Sequence, residues 1–210
     1  FGGAGLKKRK RGALREVRLV VVAAALLAVS LAVPYWQLTL YAPQYPGGLR
    51  ALVYLTHVAG DAQEISNLNH YIGMKALDEA APVERALAIP LVLLFGALAA
   101  VSGTQRGPWR WLLRLPLVLF PLGFFADLSA WLWYYGHSMD PAAPIRLEPF
   151  MPVVLGRGVI AQFQTVASFH VGFYLALAAS LLALYDLRRK QVRQERVRVR
   201  VAGPAEVAAR

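Results

Sequence analysis

The sequence predicts an all-α integral membrane protein with four transmembrane helices, whose two outward loops form a small cap. Two observations lead there. The chain is 57% hydrophobic with a mean hydropathy of +0.44, yet its formal net charge is +11, the pairing expected of apolar spans with basic margins. Four apolar runs, at about 18–40, 85–102, 112–135 and 159–185, are long enough to cross a hydrocarbon layer of roughly 30 Å. The chain thus divides into a basic N-terminal segment, 1–17, a four-helix membrane domain, 18–185, with outer loops at 41–84 and 136–158, and a basic tail, 186–210.

The first run follows "LKKRKRGALREVR", which invites a signal-peptide reading. About 20 apolar residues exceed a typical signal core, however, and "VPYWQLTLYAPQYP" supplies interfacial aromatics without a small-residue cleavage site. A retained helix is expected. Orientation follows from the cations: of the 23 Lys and Arg, 18 lie at or before residue 18, at 106–114 or after residue 187. Only Arg50, Lys75, Arg85, Arg146 and Arg157 lie on the other side. By the positive-inside rule both termini are cytoplasmic, in an inner cell membrane crossed several times. The basic clusters then serve topology and anionic lipid headgroups, and nucleic acid is not an expected partner.

Cysteine is absent, which removes thiolate iron–sulfur and copper centres, Cys-attached haem and disulfides. Any metal must be held by His, Met, Tyr, carboxylate or backbone oxygen. All four histidines fall away from the cytoplasmic side: His57 and His70 in the first outer loop, His137 at the start of the second, and His170 inside the fourth run.

In the first loop "YAPQYPGGL" is turn chemistry and "RALVYLTHV" reads as extended. Asp61 with Glu64 three residues on is a capping-box-like start, so a helix is expected over about 62–78. At 100° per residue Ile65, Leu68, Ile72 and Ala76 form one stripe, while Asn67, His70, Tyr71 and Met74 form the opposite one. His70 and Met74, one turn apart, would present an imidazole and a thioether to one point. That mixed set suits copper better than zinc. The plainer reading is that Asn67, His70 and Tyr71 hydrogen-bond the second loop while Met74 fills a gap.

The second loop, "YYGHSMDPAAPIRLEPFMPVVLGRG", sets His137 and Met139 two apart before a proline-rich stretch that forbids a regular helix. Stiffened in this way, it is a lid over the first-loop helix or a cap on the bundle. Within the spans, Asp127 in "GFFADLSAWLW" and His170 in "VASFHVGFY" are ionisable groups where charge is expensive. A pair between them, in register or as a proton relay, is the expectation. Haem b ranks below copper, because bis-His ligation needs two histidines at one depth and only His170 lies in a span. No nucleotide-binding, hydrolase or metalloprotease motif occurs, so an accessory role is expected rather than an enzymatic one. The tail "RRKQVRQERVRVRVAGPAEVAAR" reads as a short helical extension that then loses order.

At "YPGGL…H…GD…EI..LNHYIGM" and "H..DP.API….P…LG.G" the chain resembles a family of small polytopic membrane proteins associated with nitrous oxide reductase gene clusters of bacteria and archaea. The resemblance spans about residues 40–185, and "EISNLNHYIGM" is its most specific part. It implies an accessory role for an extracytoplasmic respiratory copper enzyme in denitrification, without assigning ligands. On that footing the expected function is transient copper coordination by His70, Met74, His137 and Met139 or His57, with Asn67, Asp61 and Glu64 around them. A periplasmic copper enzyme or cytochrome c is the expected partner. The rivals are a quinol-to-cytochrome electron-transfer subunit and a docking anchor without cofactor.

Overall fold

A computed structural model describes residues 18–105, 107–160 and 163–207, with side chains as far as Arg189. The basic segment 1–17 lies outside the described residues. The fold is not all-α. It is a five-stranded antiparallel sheet set on one end of a helical bundle.

Helix α1 (Arg18–Ser30) leads into strands β1 (Trp36–Ala42), β2 (Tyr45–Val53) and β3 (Val58–Gly60), then helix α2 (Ala62–Tyr71) and a 3-10 turn at Leu77–Glu79. Helices α3 (Pro82–Ser102) and α4 (Pro108–His137) follow as an antiparallel pair. Strands β4 (Gly156–Ile160) and β5 (Phe163–Phe169) then precede the long helix α5 (Val171–Val207). The sheet order is β3-β2-β1-β5-β4, so the two outer segments expected as loops are woven into one sheet through the β1–β5 ladder, Trp36↔Phe169 to Tyr41↔Gln164.

Two of the four expected spans are therefore composites. The run at 18–40 is a helix to Ser30 and a strand from Trp36; the run at 159–185 is strand β5 and then α5. The reason lies in the pattern. In "WQLTLYA" and "FQTVASF" apolar or small residues alternate with polar ones, the period of a sheet. Hydropathy averaged over a span-length window cannot distinguish that from a helix. Trp36, Leu38 and Leu40 of β1 join Ala167 of β5 and Ala51 of β2 on the buried face, which packs on Ile65 of α2 and Leu128 of α4.

Among the described residues three helices are long and apolar enough to cross a membrane: α3, α4 and α5 from Val171 to Arg189. α1, at Arg18–Ser30, is shorter over its described length. It packs through Val20, Ala23 and Leu27 against Ala99, Leu117, Ala176, Ala179 and Ala183. Alanines recurring along α5 let backbones approach closely, the packing that holds helices together when the surroundings are as apolar as the side chains. Ser180 adds a hydrogen bond from its hydroxyl to the Val118 carbonyl, at 2.6 Å. α5 runs unbroken to Val207, so the helical extension expected at the start of the basic tail reaches that residue.

Candidate metal-binding cleft

The helix expected over 62–78 stops at Tyr71, and its end shapes the site. Ile72 caps it, Gly73 turns left-handed at φ 78°, and Met74 N–H returns to the Asn69 carbonyl at 2.9 Å while Gly73 N–H donates to His70 O at 3.2 Å. This pair of bonds is a Schellman ending, which glycine favours because it bears no Cβ. Met74 is therefore not one helical turn along from His70. It sits on the segment that doubles back after the cap.

The start of α2 also differs from expectation. Asp61 occupies the N-cap position without a side-chain capping bond. Its carboxylate instead accepts the Arg50 amide at 2.8 Å, while the Asp61 amide donates to Arg50 O at 2.7 Å. Asp61 thus ties the helix entrance to the rim of β2. Glu64 stays exposed in the first turn of the helix, where a negative charge suits the helix dipole. Ile65 and Ile72 are buried and Leu68 half-buried, whereas Asn67, His70 and Tyr71 face outward.

The stretch after α4 docks on this ending. Asp140 N–H donates to Gly73 O at 2.8 Å, Ile145 N–H to Tyr71 O at 3.0 Å, and Phe150 N–H to Gly136 O at 3.1 Å. At Gly136 the approach is so close that a Cβ would overlap the Phe150 carbonyl. From the other side, Tyr135 hydroxyl donates to Ala76 O at 2.6 Å and Lys75 Nζ to Tyr134 hydroxyl at 2.7 Å. That last bond holds the Lys75 ammonium above the usual lysine range.

Between the two segments lies a polar cleft of about 530 Å³ lined by His70, Met74 and Met139, together with Lys75, Glu79 and Asp140. One imidazole and two thioethers, from segments 65 residues apart in the chain at the extremes of Met74 and Met139, share its wall. The donor set fits a soft monovalent ion such as Cu(I). Among the described residues no group of three or more His, Asp or Glu converges, so a hard-ligand set is not assembled there.

Other expected ligands lie elsewhere. His57, in the β2–β3 turn, stacks on Tyr54 with ring centres 4.3 Å apart and its Nδ1 bonds Thr56 hydroxyl. His137, the last residue of α4, stacks on Trp133 at 4.5 Å and its Nδ1 bonds the Trp133 carbonyl at 2.8 Å. Neither lines the cleft. Asn67 and Tyr71 are exposed beside it, and Tyr71 contributes its carbonyl to Ile145.

Asp127 and His170 do not pair: among the described residues no hydrogen bond or ion pair joins them. His170 lies at the junction of β5 and α5, not in midspan. Its amide donates to Tyr35 O at 2.9 Å, its carbonyl accepts from Phe173, and its buried Nδ1 lacks a partner. Asp127 is half-buried on α4 and lines a separate apolar cavity of about 560 Å³ beneath the sheet. The buried ion pair of the bundle is instead Arg114–Asp186, at 2.6 Å, with Arg114 Nε also donating to Ser102 hydroxyl. Arg114, a loop cation by its sequence position, is fully buried seven residues into α4. The signal available was an arginine followed at once by an apolar stretch, opposite an aspartate in "LLALYDL".

No known family model matches the chain, and no curated protein matches it.

Proposed function

We propose that this is a membrane-anchored accessory protein that transiently binds Cu(I) in the cleft beneath the Pro141–Pro144 turn and serves an extracytoplasmic copper enzyme, by resemblance that of nitrous oxide reduction. What supports the reading is one observation: His70, Met74 and Met139 line a single cleft. Thioethers are poor ligands for hard cations and good ones for Cu(I), and an open, exposed imidazole allows the ion to be handed on. In this reading α3, α4 and α5 cross an inner membrane, the α3–α4 connection and the C-terminal tail are cytoplasmic, and the sheet and cleft face outward, where a copper enzyme or cytochrome c is met. Lys75 tempers the charge of Glu79 and Asp140, which favours a monovalent over a divalent cation.

The test is competition of the detergent-purified protein with a Cu(I)-specific chelator. His70→Ala, Met74→Leu and Met139→Leu should each weaken binding about tenfold or more, the equivalent of about 1.4 kcal/mol. His57→Ala and His137→Ala should leave it unchanged. No Cu(I) binding by the intact chain, or binding insensitive to the three cleft variants together, would sink the proposal.

A further inference from the structure

The larger cavity has a different character from the cleft. Its volume of about 560 Å³ lies within the range of small-ligand sites, roughly 300–1,000 Å³. One wall is the α3 face at Val83, Leu87, Leu91 and Phe95, spaced four residues apart, and so a single stripe of the helix. The facing wall is α4 at Pro116, Phe120, Gly123 and Asp127. At the end away from the sheet the two helices meet through Phe95 and Phe120, whose ring centres are 6.1 Å apart. At the sheet end they part, and the buried face of β1, with Trp36 and Leu38, roofs the space.

Two facts narrow what it can hold. The lining offers water almost no partners over most of its length, so ordered water is a poor occupant. Between Asp127 and Pro116 the helix rises roughly 16 Å, about half a hydrocarbon layer of roughly 30 Å. That is the reach of one acyl chain of one leaflet. The polar end carries two carboxylates, Asp127 and Glu84, on the cavity wall. Among the described residues neither has an ion-pair partner. Arg85 beside them is committed to the Leu77 and Asp78 carbonyls, at 2.9 and 2.7 Å. Two carboxylates therefore stand against one guanidinium that is already engaged, a net negative mouth that complements a donor-bearing cation and disfavours an anion.

We propose that this cavity binds one chain of a membrane lipid whose head carries a primary ammonium group, the chain lying along Gly123 towards Phe95 and the ammonium at Asp127 and Glu84. The proposal rests on the membrane placement above and not on copper. A primary ammonium donates to carboxylates where a quaternary one cannot.

The experiment uses the full chain with Trp109→Phe, Trp111→Phe and Trp133→Phe, leaving Trp36 and Trp131, both of which line the cavity. In phosphatidylcholine nanodiscs, brominated-chain phosphatidylethanolamine should quench tryptophan fluorescence at roughly tenfold lower mole fraction than brominated phosphatidylcholine or phosphatidylglycerol, the size of one charge-assisted hydrogen bond. Asp127→Asn with Glu84→Gln should level the three lipids. Gly123→Leu should remove the quenching, because a Cβ there meets no atom within 4 Å and the added side chain extends into the cavity without a clash at its root. Equal quenching by the three lipids, a preference that survives loss of both carboxylates, or quenching unchanged in Gly123→Leu overturns the proposal. So does a purified sample that carries an isoprenoid quinone and no aminophospholipid. Failure of the chain to enter nanodiscs at all would overturn the membrane placement itself, an outcome distinct from insertion without lipid preference.

Discussion

Single residues decide how the two halves of the cleft meet. Gly73 is left-handed, and a Cβ on it would lie 2.7 Å from the Asp140 carbonyl oxygen and 2.9 Å from its nitrogen. Gly73→Ala should therefore cost about 1–3 kcal/mol and loosen the docked segment, seen as faster proteolysis between residues 138 and 155 together with a lowered denaturation midpoint. Unchanged proteolysis would show that the segment is held elsewhere. Arg114 is the corresponding residue of the bundle. Its guanidinium is fully buried, bonded to Asp186, Ser102 and the Ala183 carbonyl. Arg114→Met leaves a buried carboxylate without its arginine and should destabilise the bundle by about 3–5 kcal/mol, measured by unfolding in mixed micelles. A loss below 1 kcal/mol in that titration would mean that the pair is solvated in the bilayer, since exposed pairs contribute about 0–1 kcal/mol.

Among the elements, the segment Gly73–Ala76 is held to α4 by the Lys75–Tyr134 bond. Because this bond raises the Lys75 pKa, the bond contributes fully below the ordinary lysine range and is lost as pH rises through the raised folded-state value. Hydrogen exchange at residues 73–76 should accordingly quicken at alkaline pH beyond its intrinsic trend, and Tyr134→Phe should abolish the extra step. An unchanged step in Tyr134→Phe would assign it to another group. The same segment shows what the sequence made legible. The buried stripe Ile65, Leu68, Ile72 and the outward Asn67, His70, Tyr71 follow from helical periodicity alone. The helix end was also legible, in Gly73, but the polar face extended past it by spacing and carried Met74 with it. The strands were harder to see. β1 and β5 join residues more than 120 positions apart, Trp36↔Phe169, and no local pattern announces a partner at that distance. Each also abuts an apolar helix, so their alternation was absorbed into an apparent span. His57 and His137 could not be separated from His70 by residue type, since only the tertiary arrangement sends them to Tyr54 and Trp133.

For the whole molecule, the described chain passes from the bundle to the sheet at α1, back at α3, up again at α4 and down through α5, so both outer segments meet at the sheet and the α3–α4 connection lies at the opposite end. The cation distribution supplies a direction for that arrangement: 18 of 23 Lys and Arg lie at or before residue 18, at 106–114 or after residue 187. Arg114 is buried in an ion pair and drops out of the loop count, yet seventeen remain, and the bias towards one side is hardly altered. The native chain has no cysteine, so single introduced thiols report without background. Gln44→Cys and Ala142→Cys stand at exposed positions of the sheet end, and Thr104→Cys at an exposed position of the α3–α4 connection. In intact cells a membrane-impermeant thiol reagent should label the first two and spare the third, and permeabilisation should make all three reactive. Labelling of Thr104→Cys alone would invert the molecule and put the His70, Met74 and Met139 cleft in the cytoplasm, where it could not meet an extracytoplasmic copper enzyme. Equal labelling of all three before permeabilisation would remove the transmembrane arrangement altogether, and with it the hydrocarbon chain that the cavity between α3 and α4 is proposed to hold.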